Sequence, residues 1–341
     1  MTSVALAKSS PLIPEVLTFE EVRLMVEELH ERNLDDEVHN LADMLVDEEL
    51  NLRVPSVGWS RMTHHAKQQL GGLLGVQFDK WFGGIDGTEI QHEIGLRIPK
   101  LGKDAYRLVR TRAVEDTGYL VRALLSKTYQ LIDDTRVFRR METGLVSDYM
   151  GGFHFVLERL ELPHDEALMS CYVMGFGDPV EIGDRSFWPT IILCNSEVGA
   201  RSLTLDLMMM DLEEQWGFLQ PTTTRLAKRV HRKIEDDKLD DTLEEAFLRA
   251  ADLAADAVER LKGAVDRKIK QPGEFIFSHL RRNGIPFKTT TRIAKAFDEE
   301  DYQSTAFDVA RVIATSGRNM APESQQKLER LASLVINKVS F

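Results

Sequence analysis

The chain contains little cysteine, with only Cys171 and Cys194 among its 341 residues. That scarcity excludes a small scaffold held together by disulfides, and a composition of 43% hydrophobic residues is sufficient for a packed core without them. Both cysteines lie in apolar stretches that predict strands. We expect two buried thiols, although cysteines on adjacent strands could also pair as a disulfide.

Long hydrophobic runs are lacking as well. No window of the sequence approaches the roughly 20 apolar residues that a membrane-spanning helix requires. At the N-terminus, Lys8 is followed by a weakly apolar run that Pro11 and Pro14 interrupt, which is unlike a signal peptide. We therefore expect a cytoplasmic protein that does not associate with membranes.

Familiar catalytic motifs are the third absence. The sequence has no Walker loop, no G-x-G-x-x-G after a strand, no histidines at zinc-binding spacing, and no G-x-S-x-G frame around Ser196. Asp133, Asp134, Glu142 and Asp148 could gather a divalent metal, but their spacing is more typical of helix capping and of pairing with nearby arginines. The sequence therefore predicts no catalytic residues, no cofactor and no metal site.

The chain has an excess of negative charge, with a formal net charge of -12, but this charge is unevenly distributed along the sequence. Residues 1–50 carry 3 basic and 13 acidic side chains, whereas residues 97–140 carry 11 basic and 5 acidic ones. Residues 262–295 carry 9 basic and 2 acidic side chains. The overall charge excludes a protein that coats nucleic acid with its whole surface, but two internal segments remain available to an anion.

The N-terminal region has the apolar spacing of helices. Between residues 18 and 50 the apolar positions recur three and four apart, and Thr18 followed by Glu21 forms a capping box. We expect two acidic helices, joined near residues 33–36, within an acidic helical extension that covers residues 1–55.

The middle of the chain, residues 56–220, is expected to form an α+β core. It opens with a helix within residues 60–82, and AYRLVRT at 105–111 alternates as a half-buried strand does. Residues 117–133 favour a second strand over a short helix. Residues 167–210 contain apolar runs separated by turn residues, which predicts at least three strands, with the run at 191–194 buried on both faces.

Helical spacing dominates the last part, residues 221–341. Apolar residues recur at intervals of three and four from Leu239 to Leu261, and further helices are expected at 304–314 and 323–339. The predicted fold class is therefore α+β, with a central antiparallel or mixed sheet, acidic N-terminal helices, and a helical C-terminal third packed on the core.

Three segments resemble the phage and plasmid-like protein family, to which LtrC-like plasmid proteins are related. They are LVRALLSKTYQLIDD at 120–134, ILCNSEVGARSLTL at 192–205, and the run at 306–336, and the NSEVG turn is the most specific part. The similarity extends from His64 to the C-terminus. It implies a place on mobile elements among DNA-processing proteins, and no established activity. A cysteine followed by Asn-Gly often follows the second strand in such proteins, whereas MMMDLEEQWGFLQ stands here at 208–220.

The strongest candidate for binding is a basic cluster interleaved with aromatic residues, because cations beside exposed rings hold single strands without reading their sequence. Its predicted members are Arg107, Arg110, Arg112, Arg122, Lys127, Tyr129, Arg136, Arg139 and Arg140. The alternative is that these arginines pair with acidic residues, such as Asp133, Asp134 and the N-terminal acids. Internal pairing is the favoured interpretation for any single residue, whereas the local excess of basic over acidic side chains favours binding for the cluster as a whole.

A secondary basic cluster lies in RLAKRVHRK at 225–233, and its members are Arg225, Lys228, Arg229 and Arg232. We expect a helix here, capped by the threonines at 222–224, whose free backbone donors could hold a phosphate. The interpretation that we favour is an ordinary solvated helix face that meets the acidic residues at 235–237, because runs of charge are usually exposed to solvent.

These features together predict a non-enzymatic protein of a mobile element that binds single-stranded nucleic acid in recombination or replication. Single-stranded DNA is the expected ligand, and a homo-oligomer is the expected assembly. The alternative is a protein-interaction or host-interference factor that holds a protein partner with its acidic face and its long helix.

Overall fold

The computed structural model describes residues 16–75, 87–114, 118–142, 154–156, 170–211, 213–214, 216–220, 225–231, 236–299, 302–318, 320 and 322–337. These residues form two sheets and a helical C-terminal region, so the predicted mixed class of helices and strands is confirmed. In chain order the strands are β1 (Val16–Thr18), β2 (Glu37–Asn40), β3 (Leu45–Val46), β4 (Leu52–Val54), β5 (Gly58–Met62), β6 (Tyr106–Val114), β7 (Gly118–Ser126), β8 (His154–Val156), β9 (Ser170–Gly175), β10 (Val180–Ile182), β11 (Arg185–Asn195), β12 (Leu203–Asp211), β13 (Gly217–Leu219) and β14 (Ala227–Arg229).

The α-helices divide between the sheets and the C-terminal region. They are α1 (Phe19–Glu31), α2 (His64–Leu74), α3 (Gly87–Arg97), α4 (Asp134–Glu142), α5 (Asp236–Asp266), α6 (Pro272–Arg282), α7 (Phe287–Glu299), α8 (Ala306–Thr315) and α9 (Pro322–Asn337). Two 3₁₀ segments, Leu41–Asp43 and Ile98–Ala105, complete the set within the described ranges. Among all the residues that the structure describes, no helix is both long enough and apolar enough to cross a bilayer.

The first sheet has the order β1-β8-β9-β11-β12-β13, with β10 beside β11 and β14 beside β12. All pairings between the described strands of this sheet are antiparallel. Ile191 and Leu193 lie in a core shared with α1, α4 and the first half of α5, while Ile192 and Cys194 lie in an apolar cluster on the other face. The prediction that this run is buried on both faces is therefore confirmed.

The second sheet has the order β2-β6-β7-β5-β4-β3, and its β5–β7 pairing is parallel while the others are antiparallel. Helices α2 and α3 cover one face, over a core that includes Leu70, Ile94 and Val121. The predicted helix within residues 60–82 is observed as α2, which Thr63 caps by accepting a hydrogen bond from the Ala66 N–H. The two strands expected at 105–133 are β6 and β7.

The N-terminal region differs from the expected pair of helices. The capping box of Thr18 and Glu21 starts α1 as predicted. The prediction of a second helix was wrong, because Glu37–Asn40 forms strand β2 at the edge of the second sheet. Its side chains include one acid, a histidine and an asparagine, which hide a period of two. Pairing with β6 therefore decides the local structure over helical spacing. Residues 16–54 contribute strands to both sheets rather than forming a separate helical layer.

The C-terminal region follows the predicted spacing in most of its length. Leu239, Leu243 and Phe247 belong to the core under the first sheet, and Ala257 and Leu261 belong to a second core that α6 to α9 share. The helix expected at 225–233 was wrong in its described part, because Ala227–Arg229 pairs with Leu203–Leu205 of β12 as strand β14. Helices α6 and α7 were not predicted.

Candidate functional site

Three arginines of the predicted basic cluster are buried between the two sheets. Arg110, Arg112 and Arg122 lie on β6 and β7, and their exposed fractions are 2%, 1% and 4%. Arg110 forms ion pairs with Asp36 at 3.0 Å and with Asp133 at 2.9 Å. The alternative of internal pairing therefore describes these three side chains.

The NSEVG turn supplies the central carboxylate of this buried network. Glu197 lies 3.0 Å from the Arg122 guanidinium and 3.9 Å from that of Arg112, and its backbone carbonyl accepts a hydrogen bond from Arg110 at 2.8 Å. Asn195 donates to the Ile132 carbonyl at 2.7 Å. Because the turn joins β11 to β12, it links the first sheet to the arginines of the second.

The network has a defined electrostatic balance. Burial alone would raise the pKa of Glu197, but the Arg122 and Arg110 guanidiniums hold the pKa of this carboxyl well below its ordinary value. At Asp36 the opposite outcome holds, because burial raises the pKa more than Arg110 lowers it. The buried arginines thus favour the charged form of Glu197, and Asp36 and Asp133 are further partners of Arg110.

The remaining members of the predicted cluster lie in different environments. Lys127 and Arg139 are exposed, Arg107 is half-buried, and Tyr129 stacks on His231 with ring centroids 5.1 Å apart. Two further arginines are engaged within the protein: Arg136 donates to the Leu131 carbonyl at 2.8 Å, and Arg140 pairs with Asp240 at 3.0 Å. The described side chains of this cluster therefore differ in burial and in the groups that they contact.

A basic pocket of about 420 Å³ lies elsewhere, between β12, β14 and α9. Among the described residues that line it, five are cationic and one is acidic, and the rest are small or neutral. The charged members are Arg201, Arg225, Lys228, Lys327, Arg330 and Asp206. We call this set the basic pocket.

Strand register explains how the floor and walls of the basic pocket form. Thr204 and Asp206 lie two residues apart on β12, so they share a face, and Lys228 of β14 pairs in register with Thr204. Lys327 and Arg330 are three apart on α9, so they project from one side of that helix. The pocket therefore gathers side chains that are far apart in sequence.

Asp206 organises the bottom of the basic pocket. It is 4% exposed, and it accepts from Arg225 at 2.7 Å and from Arg330 at 2.5 Å. Arg330 also donates to the Gln220 carbonyl at 2.6 Å. This pairing fixes two guanidiniums, while Lys228 and Lys327 remain exposed at the opening.

The secondary cluster is divided by the strand that replaces the expected helix. Arg225 and Lys228 line the basic pocket, whereas Arg229 donates to the Thr242 hydroxyl at 2.6 Å. Arg232 and the threonines at 222–224 lie outside the described residues. Sequence reasoning missed Arg201, Lys327 and Arg330, for which the one local signal is the spacing of Lys327 and Arg330 in a helix.

Comparison with known proteins gives no identification. No protein-family model, no curated protein and no solved structure matches this chain. The basic pocket is a concave surface with fixed guanidiniums and exposed ammonium groups. These groups suit a ligand that carries phosphate.

Two other predicted features can be placed. Across β9 and β11 the backbone register pairs Cys171 with Cys194, and the Cys194 thiol is buried in the pocket wall, where it accepts a hydrogen bond from the Gln326 amide at 3.8 Å. Of the acids considered for a metal, Asp148 lies outside the described residues. Within the described ranges, no group of three or more His, Cys, Asp or Glu side chains is placed to hold a metal ion.

Proposed function

We propose that this protein binds single-stranded nucleic acid through the basic pocket. The observation that carries the proposal is the convergence of five cationic side chains on one opening in a chain whose net charge is -12. They come from the turn after β11, from β14 and the position two residues before it, and from α9. An acidic protein that gathers cations from separate elements has a local field that attracts phosphate.

The geometry favours a flexible strand as the ligand. A volume of about 420 Å³ is comparable to pockets that hold small molecules, so it accommodates a phosphate with part of its nucleotide. A single strand can bend one phosphate into such a pocket and present the next to Lys228 at the rim. Arg225 and Arg330, held by Asp206, provide planar donors for phosphate oxygens.

The resemblance to the phage and plasmid-like family supplies the proposed setting, which is recombination or replication of a mobile element. Assembly of several copies along a strand remains part of the proposal. Such an assembly does not require α5 to pair with α5 of another copy, because the apolar face of α5 is buried in the two cores of its own chain.

The proposal is tested by measuring the binding of a labelled oligothymidylate at a series of salt concentrations, with fluorescence anisotropy as the readout. We expect the parent protein to bind at low salt, with an affinity that falls as salt rises. Arg201→Ala with Lys228→Ala should reduce the logarithmic salt slope by about 1.4, since each lost phosphate contact removes about 0.7 for single strands. Lys327 is left unchanged because it also borders the turn before α7.

The matched control is Lys100→Ala with Lys103→Ala, which removes two exposed charges from the 3₁₀ segment before β6. It should leave the salt slope unchanged. Absence of binding by the parent at low salt would refute the proposal, and so would an equal slope in the pocket variant and the parent.

One observation favours the alternative of a protein partner. The outward side of α5 exposes Asp241, Glu244, Glu245 and Asp252 around Leu248, which is 45% exposed. This side would fit a partner with a basic surface and one apolar contact. If the parent protein fails to bind single strands, this side of α5 becomes the leading candidate.

A further inference from the structure

Helices α6 and α7 are joined by a tight turn of four residues, 283–286. Gly284 has a φ of +73°, a left-handed conformation that favours glycine, and its N–H donates to the Arg281 carbonyl at 3.1 Å. The Ile285 N–H donates to the Leu280 carbonyl at 3.1 Å. Two helices connected by a short turn that contains glycine have the connectivity of a helix-turn-helix.

The inner sides of this pair are fixed in the C-terminal core. Ile276 and Leu280 of α6, Ile285 of the turn, and Ile293 and Phe297 of α7 are buried together with side chains of α8 and α9. Their burial determines which side of α7 faces outward. The pair is therefore a rigid platform rather than a pair of loosely attached helices.

The outward side of α7 is cationic and contains one exposed ring. Its members are spaced three and four apart, and they are Phe287, Lys288, Thr291, Arg292 and Lys295. Phe287 is 62% exposed, and the Arg281 guanidinium of α6 lies 6.0 Å from the centre of its ring. We call these five residues the α7 face. Lys295 also forms an exposed ion pair with Glu299 at 3.4 Å.

The charge of this segment is unusual for a solvated helix. Residues 281–295 contain five cationic side chains and no acidic one. The first turn of α7 has no acid, although acids there would stabilise the positive end of the helix dipole, and it carries Lys288 instead. An anion placed at the start of α7 would be stabilised by both the dipole and the lysine.

We infer that α6 and α7 bind duplex DNA as a helix-turn-helix, with α7 lying in the major groove. The N-terminal residues of the second helix contact base edges in this arrangement, and the first helix crosses the phosphate backbone. Lys288, Thr291 and Arg292 are placed for base edges, and Arg281 and Arg282 for phosphates. Arg292 has the planar fork that recognises guanine in the major groove.

This inference goes beyond the proposed function, because it concerns a different form of nucleic acid and different residues. The two surfaces adjoin, since the Lys327 ammonium of the basic pocket lies 3.8 Å from the position that a Cβ would take on Gly284. A duplex on the α7 face would thus place the basic pocket beside its backbone.

The experiment begins with selection of binding sites from a pool of duplexes that contain a randomised segment, using the full chain. We expect one sequence to be enriched. For that duplex, Lys288→Ala with Arg292→Ala should weaken binding at least about tenfold, because phosphate and base contacts are lost together. The melting temperature should be unchanged, since both side chains are exposed and alanine favours helix.

Two further variants separate this surface from others. Arg292→Lys keeps the charge but loses the bidentate fork, so it should reduce the preference for the selected sequence more than the affinity for random duplex. Lys100→Ala with Lys103→Ala should bind as the parent does.

The inference is overturned if no sequence is enriched, or if Lys288→Ala with Arg292→Ala binds the duplex as tightly as the parent. It is also overturned if duplex binding is lost in the Arg201 and Lys228 variant but kept in the α7 variant. Failure of single-strand binding in the earlier test would leave the duplex test unaffected, because the two use different DNA and different substitutions.

Discussion

Replacing Glu197 by glutamine tests whether the buried network between the sheets depends on its charge. Glutamine keeps the shape of the side chain, and Glu197 is only 9% exposed. One of its oxygens accepts from the Asp134 N–H at 3.2 Å and the other from Arg122 at 3.0 Å. An amide has one oxygen, so in either orientation its NH₂ group faces a donor.

The expected loss of stability is large because buried arginines remain without their carboxylate. Removal of one partner of a buried ion pair costs about 3–5 kcal/mol. At about 2.1 cal/mol/K per residue, the unfolding entropy of the 341-residue chain is about 0.7 kcal/mol/K, so the melting temperature should fall by about 4–7 °C. Thermal melting followed by circular dichroism at pH 7 measures this shift.

The matched control is Glu181→Gln, which neutralises an exposed acid on β10 and should change stability by no more than about 0.5 kcal/mol. The charge of Glu197 also makes stability depend on pH. The pKa of Glu197 is lowered in the folded protein, so its contribution is present above its ordinary pKa and is lost as pH falls through the folded value. A Glu197→Gln protein that melts within about 1 °C of the parent would refute the argument.

Two further predictions concern other buried positions. Burial lowers the pKa of His231 to about 4 from 6.5, so the folded form binds fewer protons than the unfolded chain, and stability should fall by about 2 kcal/mol between pH 7.5 and 5. Urea titrations at the two pH values should show a smaller fall for His231→Phe, and an identical fall would contradict the assignment. At Gly175, an added Cβ would lie 2.6 Å from the Trp188 ring, so Gly175→Ala should destabilise by about 1–3 kcal/mol. Gly72→Ala, where nothing lies within 4 Å, should instead stabilise α2 by about 0.5–1 kcal/mol in the same assay.

Elements with a strong local period were predictable from sequence. The stripe from Leu239 to Leu261 gives α5, the apolar run around Ile191 gives β11, and Thr18 with Glu21 marks the start of α1. The short strands β2 and β14 were not predictable, because three or four residues carry too little alternation and their partners lie far away in sequence.

The candidate sites show the same division between local and distant information. A local count of charges left the basic cluster with unmatched arginines, but folding brings Asp36 and Glu197 to them. The basic pocket likewise depends on strand register and on the position of α9, which no local pattern contains. Helices α6 and α7 were not predicted, although Ile276 and Leu280 of α6 and Ile293 and Phe297 of α7 have helical spacing.

Strand β1 has a consequence for synthesis of the protein. Val16 pairs with Val156 at one edge of the first sheet, so β1 emerges from the ribosome long before its partner. At typical synthesis rates of about 5–20 residues per second, the strand waits for several seconds or more. During that time its backbone groups are open to other chains, which is the condition for mispairing between neighbouring nascent chains. Completion of β8 closes this interval, so slower synthesis across the intervening residues should increase aggregation without altering the folded protein.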